Sequence, residues 1–500
     1  MVVKPKELPE GTAVEAGRDQ KYAAIVDDDA QAKLNALRES HGATWDSPED
    51  PNNPYNWSLT RKVCIAIVVS LGQLATLMST SMMAAALNQI AEDLGLSISV
   101  TQICFSIFLL GLAFGPFLVA AFSEIYGRKP VWLASNIWYI LWNSLCPVGN
   151  SPGLMMTGRF LAGCGASAGV TLTAPIMGDM FHAKDRGKSL ALATLIPYLG
   201  PALGPIMGGL ASQNIHWHWL FWILSSFEAL VTVLGVVILR ESYTPALLRR
   251  KAQAQNPNLY RRSSPCTQQF YLDLFTQLRK NIYRPLRLLA TRPIIQLLSI
   301  LYGFDFGIYV LMLSTYASLW IDRYHESETI GSLNYIAIAI GTTIGAQGGG
   351  HLMDYIWRRM RDRPNTIISP EFRIPYMIPS VLLIPIGLFW YGWSAEHGIS
   401  WVMVDVGAAI FTAGCFMVGQ GMLAYLLDEF THAASASAAT RMLSNILAFA
   451  FPIFAPDMYA RLGFGWGNSL LGFLYLGLGV PIPLVLWFWG PRIRAIGKEF

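Results

Sequence analysis

Two carboxylates lie deep inside long apolar stretches of this sequence, where an ionised side chain is costly. Glu228 is ten residues into the stretch 218–239, and Asp305 is twelve residues into the stretch 293–320. In helices that rise about 1.5 Å per residue, each carboxyl group would be roughly 15–18 Å from a helix end. Such a group binds and releases a proton when its access to water changes. Both are therefore candidates for proton binding. The alternative is a structural side chain that stays protonated or hydrogen-bonded.

The residues around Asp305 favour it over Glu228 as the proton-binding group. The segment 302–307 surrounds Asp305 with two glycines and three aromatic residues. The glycines leave space for access, and the rings can line a pocket. The aromatic candidates for a substrate cavity are Tyr198, Phe304 and Tyr309, although such residues serve equally well in packing.

One arginine, Arg159, also falls inside an apolar stretch, about six residues into 153–178. A guanidinium group at this depth needs a partner or water. Its side chain either finds a partner among neighbouring helices or extends to the outer surface. The sequence leaves both arrangements open.

A short charged segment containing Glu124, Gly127, Arg128 and Lys129 separates two apolar stretches. The flanking stretches contain no charged residue over 22 and 28 positions. Each is long enough to cross a hydrocarbon core of about 30 Å. We predict a tight turn at the water interface, in which Gly127 permits the bend and Glu124 faces Arg128 or Lys129.

A related pattern occurs 230 positions later, where Asp354 and Arg358 align with Glu124 and Arg128. Each copy follows the second apolar stretch of its half of the chain. This spacing indicates a duplicated unit of six helices. We therefore expect pseudo-symmetric halves that carry the same charged turn at corresponding places.

Composition predicts a polytopic membrane protein. Of the 500 residues, 53% are hydrophobic and only 14% are charged. A chain in lipid must satisfy its backbone hydrogen bonds internally, which helices of about 20 residues do. We predict an all-α membrane protein with twelve transmembrane helices in two pseudo-symmetric six-helix bundles. The predicted spans are 64–88, 101–122, 131–149, 153–178, 188–211, 218–239, 293–320, 332–353, 374–393, 400–425, 434–457 and 467–489.

The distribution of Lys and Arg predicts the orientation. With both termini inside, 32 of the 36 Lys and Arg residues fall in cytoplasmic segments. The net charge of +4 therefore reflects topology, and no nucleic acid is expected as a partner. The predicted divisions are a largely disordered cytoplasmic tail (1–61), an N-terminal bundle (62–240), a central cytoplasmic loop (241–292), a C-terminal bundle (293–490) and a cytoplasmic tail (491–500).

The fifth stretch contains a glycine–proline motif. Three glycines spaced by four residues fall on one helical face, so another helix can approach closely. Two prolines remove backbone donors and allow a bend. One interpretation is close packing and nothing more, and the other is a functional motif. Its members are Gly200, Pro201, Gly204, Pro205, Gly208 and Gly209.

Several of these motifs resemble those of the major facilitator superfamily. The charged turn is similar to the superfamily's signature loop, and its form here resembles that of fungal drug:proton antiporters. The segments 50–58 and 370–375 are similar to those that precede helices one and nine of the same antiporters. Arg159 and Gly163 resemble the superfamily's helix-four motif, which is implicated in proton coupling. The glycine–proline motif resembles the helix-five motif of drug:proton antiporters.

This resemblance implies a major facilitator fold with a conformational latch at the charged turns. It also implies a role for Arg159 in proton coupling, for which Asp305 and Glu228 are the candidate proton-binding groups because of their depth. We therefore expect a proton-coupled efflux antiporter for a small amphipathic organic compound such as a drug, toxin or secondary metabolite. The alternatives are a polyamine exporter, a proton-coupled nutrient uptake transporter and a non-transporting membrane receptor.

The sequence predicts neither an enzyme nor a cofactor. It contains no nucleotide-binding Gly-Lys-Ser/Thr loop, His-x-x-x-His pair or nucleophile elbow, and its six cysteines lack metal-ligand spacing. No catalytic residue and no metal are therefore expected. The expected partners are protons, a small-molecule substrate and the lipid bilayer, with the protein working as a monomer. The expected location is the plasma membrane, with a vacuolar or vesicle membrane as the alternative.

Overall fold

The computed structural model describes residues 35, 37–39, 42–47, 49–181, 193, 194, 196–255, 268–362, 369–430 and 433–496. Within these residues every regular element is helical and no strand occurs, which confirms the predicted all-α class. We number the helices that coincide with the predicted spans α1 to α12. They are Leu59–Ser81 (α1), Ile98–Tyr126 (α2), Arg128–Leu145 (α3), Pro152–Met180 (α4), Gly200–Asn214 (α5), His218–Ile238 (α6), Pro293–Ser318 (α7), Glu328–Arg361 (α8), Ile374–Glu396 (α9), Trp401–Glu429 (α10), 433–462 (α11) and 464–495 (α12).

Nine helical segments of the described residues are long and apolar enough to cross a membrane. One of them, Ser435–Ala495, contains both α11 and α12, because Gly463 adopts φ +72° and breaks the helix. The other two helices, α3 and α5, have 18 and 15 described residues and fall outside the nine. Part of the predicted fifth span, 188–192, lies outside the described residues. The helix boundaries agree with twelve spans, and the count of twelve stays a prediction.

The helices of each half pack mainly on one another, in agreement with two bundles. In the first half, α2 packs against α4, while α1 contacts α4, α5 and α6. The helix α3 lies against both α4 and α6. In the second half, α7 packs against α11 and α12, and α9 packs against α10 and α12. The buried hydrophobic residues of the two halves nevertheless form one continuous cluster. We call the helix ends that the Lys and Arg distribution assigns to the cytoplasm the inner ends.

Among the described residues, two helix pairs make the most extensive contacts between the halves. The pair α2–α11 includes a buried contact cluster with Phe117 and Met442. The pair α5–α8 meets near its outer end, where a Cβ at Gly209 would lie 2.5 Å from the Glu328 carbonyl oxygen. Beside this crossing, Gln89 Nε2 donates to the Glu328 carboxylate at 3.2 Å. The outer ends of the two halves are therefore in direct contact.

The glycine–proline motif divides between two contacts. A Cβ at Gly200 or Gly204 would collide with α1 of the same half, at Gly204 2.7 Å from the Met78 carbonyl oxygen, and a Cβ at Gly208 would collide with Met82 just after α1. These three glycines therefore serve close packing within the first half. Gly209 instead faces α8 of the second half. The face of α5 that carries Gly200, Gly204 and Gly208 thus packs within the first half. The adjacent face, which carries Gly209, packs against α8 of the second half.

The prolines of the same motif have different positions in α5. Pro201 lies in the first helical turn, where its missing N–H would have no partner within the helix. Pro205 lies inside the helix, and both rings are buried. The first proline is thus compatible with a regular helix start, whereas the second removes one backbone hydrogen bond.

Segments outside the two bundles pack against the inner ends. Helices Thr244–Gln255 and Gln268–Thr291 occupy most of the predicted central loop, and the second contacts α2 and α11. Before α1, Trp45 is buried and Asp50 lies 4.0 Å from Lys251. Burial raises the pKa of Asp50, but backbone hydrogen bonds and Lys251 outweigh it, so the pKa is lowered. The last part of the predicted tail is therefore packed, whereas residues 1–34 lie outside the described ones.

Replacing Gly204 with alanine is expected to destabilise the protein. The added Cβ would lie 2.6 Å from Ser81 Oγ and 2.7 Å from the Met78 carbonyl oxygen, and the backbone of α1 cannot easily move. Overpacking of this kind costs about 1–3 kcal/mol. We expect a lower melting temperature for the purified protein in detergent, measured by intrinsic tryptophan fluorescence.

The matched control is Gly477→Ala in α12, where nothing lies within 4 Å of the added Cβ. Alanine is favoured over glycine inside a helix by about 0.5–1 kcal/mol, so this variant should melt at or above the wild-type temperature. If the two variants melted at the same temperature, the close contact between α1 and α5 would be contradicted.

Candidate functional site

Five aromatic side chains form a cluster where the two halves meet at mid-depth. Tyr198, which precedes α5, and Tyr309 on α7 both pack edge-on against Phe416 on α10, with ring centroids 5.4 and 5.9 Å apart. Phe306 stacks on Tyr302 and on Tyr309, each at 6.0 Å. Positions 302, 306 and 309 follow helical spacing, so they share one face of α7. The structure thus brings together two of the three predicted cavity residues, and we call these five rings the aromatic cluster.

Phe304, the third predicted cavity residue, lies on another face of α7. Its ring packs against Phe451 of α11 at 5.2 Å and Tyr475 of α12 at 6.4 Å. These contacts are within the second half. Phe304 therefore packs inside its own bundle and does not join the aromatic cluster.

Asp305 lies beside the aromatic cluster and is 1% exposed. Its carboxyl group lies close to the thiol of Cys415, the neighbour of Phe416 on α10. One carboxyl oxygen, Oδ1, has no hydrogen-bond partner in the structure. An ionised carboxylate with an unsatisfied oxygen is costly in such a place. The site therefore suits either a protonated carboxyl group or one that gains a partner when the halves move.

Glu228 lies inside the first half, away from the aromatic cluster. Its helix α6 packs against α1 and α3, and Glu228 is 3% exposed. Its Oε1 is 3.7 Å from the Cβ position of Gly72 on α1, next to the Trp132 ring of α3. Its Oε2 has no hydrogen-bond partner. The two predicted carboxylates thus occupy separate interiors, one in each half.

Arg159 is completely buried, so its side chain does not extend to the outer surface. Its Nη2 donates to the carbonyl oxygens of Ser79 at 3.0 Å and Phe105 at 3.3 Å. The guanidinium also lies over the Phe108 ring, 4.4 Å from its centroid. Its Nε and Nη1 have no partner, and no described carboxylate pairs with it. The arginine is therefore held by α1 and α2, and its charge is incompletely compensated.

The first charged turn is held by two carboxylates from distant parts of the chain. Gly127 adopts φ +102° between α2 and α3, a conformation that favours glycine. Arg128 Nε lies 3.4 Å from Asp179 at the inner end of α4. The backbone N–H groups of Arg128 and Lys129 donate to the carboxylate of Glu241, just after α6, at 2.8 and 3.3 Å. The turn therefore links the inner ends of α3, α4 and α6.

The predicted pairing of Glu124 with Arg128 or Lys129 is wrong. The Glu124 side chain is exposed, and the described residues show no ion pair to it. Because the chain reverses at Gly127, Asp179 takes the place beside Arg128. Lys129 Nζ donates instead to the carbonyl oxygen of Val236 at 2.9 Å. Sequence proximity suggested a local pair, whereas the fold supplies a partner from another helix.

The second copy of the motif does not form the same turn, contrary to the prediction. Trp357 stands where Gly127 would be, and α8 continues through this position to Arg361. Asp354 and Arg358 are exposed on this helix. Without glycine, the chain has no residue suited to the left-handed conformation that reverses the first copy. The charged sequence is thus repeated, but its geometry is not.

Another arginine occupies the place of Arg128 in the second half. Arg373, at the start of α9, lies 2.7 Å from Asp428 near the inner end of α10. Arg128 and Asp179 have the same relation to α3 and α4. The pseudo-symmetric mate of Arg128 by position is therefore Arg373. The alignment of the two charged motifs predicts Arg358 as this mate, which is wrong in space.

A second set of ion pairs lies beside Arg373. Arg494 near the end of α12 binds Glu371 through two nitrogens at 2.7 and 3.1 Å, and Glu429 at 2.8 Å. Arg292, just before α7, lies 3.8 Å from the same Glu429. Both carboxylates are nearly fully buried. We call the ion pairs of each half its inner charge network.

Sequence reasoning missed the acidic partners in these networks. Asp179, Asp428 and Glu429 each stand in the last turns of an apolar helix, at its inner end. A rule that singled out carboxylates at inner helix ends would have found all three. Their partners cannot be assigned from the sequence, because they lie 50 or more positions away. Among the residues that the structure describes, no group of three or more His, Cys, Asp or Glu is placed to hold a metal ion.

Comparison with known proteins gives one consistent result. Residues 69–452 match the Major Facilitator Superfamily. The chain is 42% identical to the probable efflux pump mfs2 of Aspergillus flavus, over 83% of this chain and 99% of that protein. It is 38% identical to the efflux pump vrtL of Penicillium aethiopicum, over 93% and 92% of the two chains.

A solved structure with the same fold is the xylose transporter XylE from E. coli in a partially occluded inward-open conformation. The TM-score is 0.63 at 16% identity, and the match covers 86% of this chain and 98% of that one. At this identity the likeness concerns the fold alone. The family predicted from the motifs is confirmed. This chain is a multi-pass membrane protein that belongs to the Major Facilitator Superfamily.

Proposed function

We propose that this protein exports a small amphipathic organic compound, such as a drug, toxin or secondary metabolite, in exchange for protons. The observation that carries the proposal is the similarity to two fungal efflux pumps at 42% and 38% identity over nearly their whole lengths. Export is thus the activity of the relatives, and the aromatic cluster is the structural feature that fits the substrate class. Its rings suit an aromatic or amphipathic molecule better than a sugar, which needs many hydrogen-bonding groups.

A polyamine is the less favoured substrate. A polycation needs several carboxylates within its binding cavity, because each buried charge requires a partner. The aromatic cluster has one adjacent carboxylate, Asp305, and the other buried candidate lies in the first half. Proton-coupled nutrient uptake would use the same fold, and only the direction of transport distinguishes it from export. A receptor without transport is less favoured, because two similar proteins are named as efflux pumps.

The proposed coupling site is Asp305. It lies beside Cys415, whose neighbour Phe416 contacts Tyr198 of the first half, and we infer that separation of the halves here gives the carboxyl group access to water. The proton would then be released or bound according to the side that is open. Glu228 is less favoured, because its neighbours Gly72 and Trp132 lie in the first half and are not part of the aromatic cluster. Arg159 contributes a fixed positive charge to the first half and has no direct contact with Asp305.

One proton is enough to drive export against a substantial gradient. A pH difference of one unit provides about 1.4 kcal/mol, and a membrane potential of 100 mV adds about 2.3 kcal/mol for each inward charge. For a neutral substrate this total of about 3.7 kcal/mol supports roughly a 500-fold concentration ratio. A carrier with a single coupling carboxylate is therefore energetically sufficient.

Replacing Asp305 with Asn is expected to abolish proton-driven export and leave exchange intact. Asparagine keeps the shape and the hydrogen-bonding capacity of the side chain but cannot cycle a proton. In proteoliposomes, uphill movement of rhodamine 6G driven by an imposed pH gradient should fall to the level of empty liposomes. Counterflow of the dye, which needs conformational exchange but no net proton movement, should persist.

The matched control is Glu228→Gln, which removes the other buried carboxylate. This variant should retain both uphill transport and counterflow. If Asp305→Asn still drove uphill export at the wild-type rate, the coupling residue would lie elsewhere. If the wild-type protein moved the dye in neither assay, the substrate proposal would fail, while the coupling proposal would be judged with an aromatic substrate that the protein does export.

We propose further that the inner charge networks act as a conformational latch. Arg128, Asp179 and Glu241 connect three inner helix ends of the first half, and Arg494 does so in the second. Partly buried ion pairs contribute little net stability, since desolvation offsets their attraction. They are strongly directional, however, so they favour one arrangement of helix ends over another. Rocking of the halves would change this arrangement.

Replacing Arg128 with alanine is expected to impair transport without preventing membrane insertion. A loss of about 1–2 kcal/mol from one conformation would shift the balance between conformations roughly 5–30-fold. We expect a reduction of similar size in the initial rate of dye efflux, normalised to the amount of protein in the membrane. The matched control is Arg358→Ala, because Arg358 is an exposed arginine without an ion pair among the described residues. Equal rates in the two variants would contradict the latch.

A further inference from the structure

A cavity of about 300 Å³ lies outside the proposed transport site, at the inner end of the second half. It is lined by Tyr355, Ile356, Arg359, Met360, Pro375 and Trp487, which belong to α8, the start of α9 and α12. Five of these six side chains are apolar or aromatic, and the sixth is a cation. The volume is at the small end of ligand sites and suits part of a chain-like molecule better than a whole drug-sized one. We call it the inner cleft.

The cationic group of the inner cleft is free to bind an anion. Arg359 is exposed, and its Nη1 donates to the Tyr355 hydroxyl one turn earlier at 3.2 Å. No described carboxylate forms an ion pair with it. By contrast, Arg373 and Arg494 nearby are both engaged by carboxylates. The cleft therefore presents an uncompensated guanidinium at the rim of an apolar surface.

The order of side chains along both helices matches the depth profile of a lipid leaflet. On α8, Leu352, Tyr355 and Arg359 succeed one another towards the inner end, and the first two are 38% and 59% exposed. On α12, Leu484 is followed in the same direction by Trp487, which is 37% exposed. Aliphatic groups suit the acyl region, Tyr and Trp suit the interface, and arginine suits the phosphate level. A soluble ligand would not require this sequence of environments.

We propose that the inner cleft binds an anionic phospholipid of the cytoplasmic leaflet. Its phosphate group would accept hydrogen bonds from Arg359, and part of one acyl chain would lie against Ile356, Met360 and Trp487. The complementarity is one of charge, since the end of α8 also carries the exposed Arg358 next to Arg359. The proposal concerns a lipid site and does not depend on which compound is transported.

A lipid bound in this cleft would affect the ion pairs of the inner charge network in the second half. Pro375 lines the cleft and lies two positions after Arg373, which pairs with Asp428. Arg373 also lies over the Trp357 ring of α8, 5.4 Å from its centroid. A lipid wedged between α8, α9 and α12 would therefore contact the same helix ends that the network joins. Anionic lipid is expected to alter the transport rate as well as bind.

Native mass spectrometry of the purified full-length protein tests the proposal. The protein is titrated with dioleoyl phosphatidylserine and, separately, with dioleoyl phosphatidylcholine. We expect a distinct first binding event that is several-fold tighter for phosphatidylserine. Arg359→Gln should weaken this event about fivefold, as expected for one cationic residue near an anionic lipid. Arg359→Lys should largely preserve it.

The matched control is Arg492→Gln, which removes an exposed arginine of the same inner surface that does not line the cleft. This variant should bind phosphatidylserine within twofold of wild type. Trp487→Ala should weaken binding of both lipids, because it removes an acyl-chain contact. Unchanged phosphatidylserine affinity in Arg359→Gln, or an equal loss in Arg492→Gln, would overturn the site. Equal affinity of wild type for both lipids would overturn its anionic selectivity. If the wild-type protein were a dimer and Trp487→Ala converted it to a monomer, a second copy of this chain would occupy the cleft in place of a lipid.

Discussion

A charge in a low-dielectric interior must be paired, hydrated or neutralised, and the placement of charged residues in this protein follows from that constraint. Most Lys and Arg residues lie at the predicted inner surface, where water and lipid headgroups compensate them. Near that surface, carboxylates at helix ends engage Arg128, Arg373 and Arg494. The few charged groups that remain at depth are therefore exceptional, and their positions limit how the protein can work.

The inner charge networks show how a duplicated fold preserves a function while its sequence changes. Arg128 and Arg373 lie at the starts of α3 and α9 and reach the ends of the following helices. In the first half the turn is made by Gly127, whereas in the second half α8 continues past Trp357. The second half thus keeps an ion pair between two helix ends, although it lacks the glycine turn that accompanies this pair in the first half. What the two halves share is the position of the charge in space.

The features that depend on local pattern were predictable from the sequence, and those that depend on distant contacts were not. Helix class and positions follow from the length of apolar runs, and the deep location of Asp305 follows from its place within one run. The partner of Arg128 lies 51 positions away, and that of Glu371 lies 123 positions away. No periodicity encodes such pairs. Similarly, the spacing of Gly204 indicated a close helix contact but could not show that α1 is the partner.

The separation of the two deep carboxylates has a mechanistic consequence. If each half moves as a unit, the surroundings of a group change only when the group faces the other half. Glu228 is packed against α1 and α3 of its own half, so under the proposed rocking its environment would change little. Asp305 lies beside Tyr309 and Phe416, which meet Tyr198 across the boundary. Under the proposed mechanism, a proton on Asp305 would respond to rocking, whereas a proton on Glu228 would be retained. The proposal therefore favours the carboxylate that lies beside the aromatic cluster over the one packed only among helices of the first half.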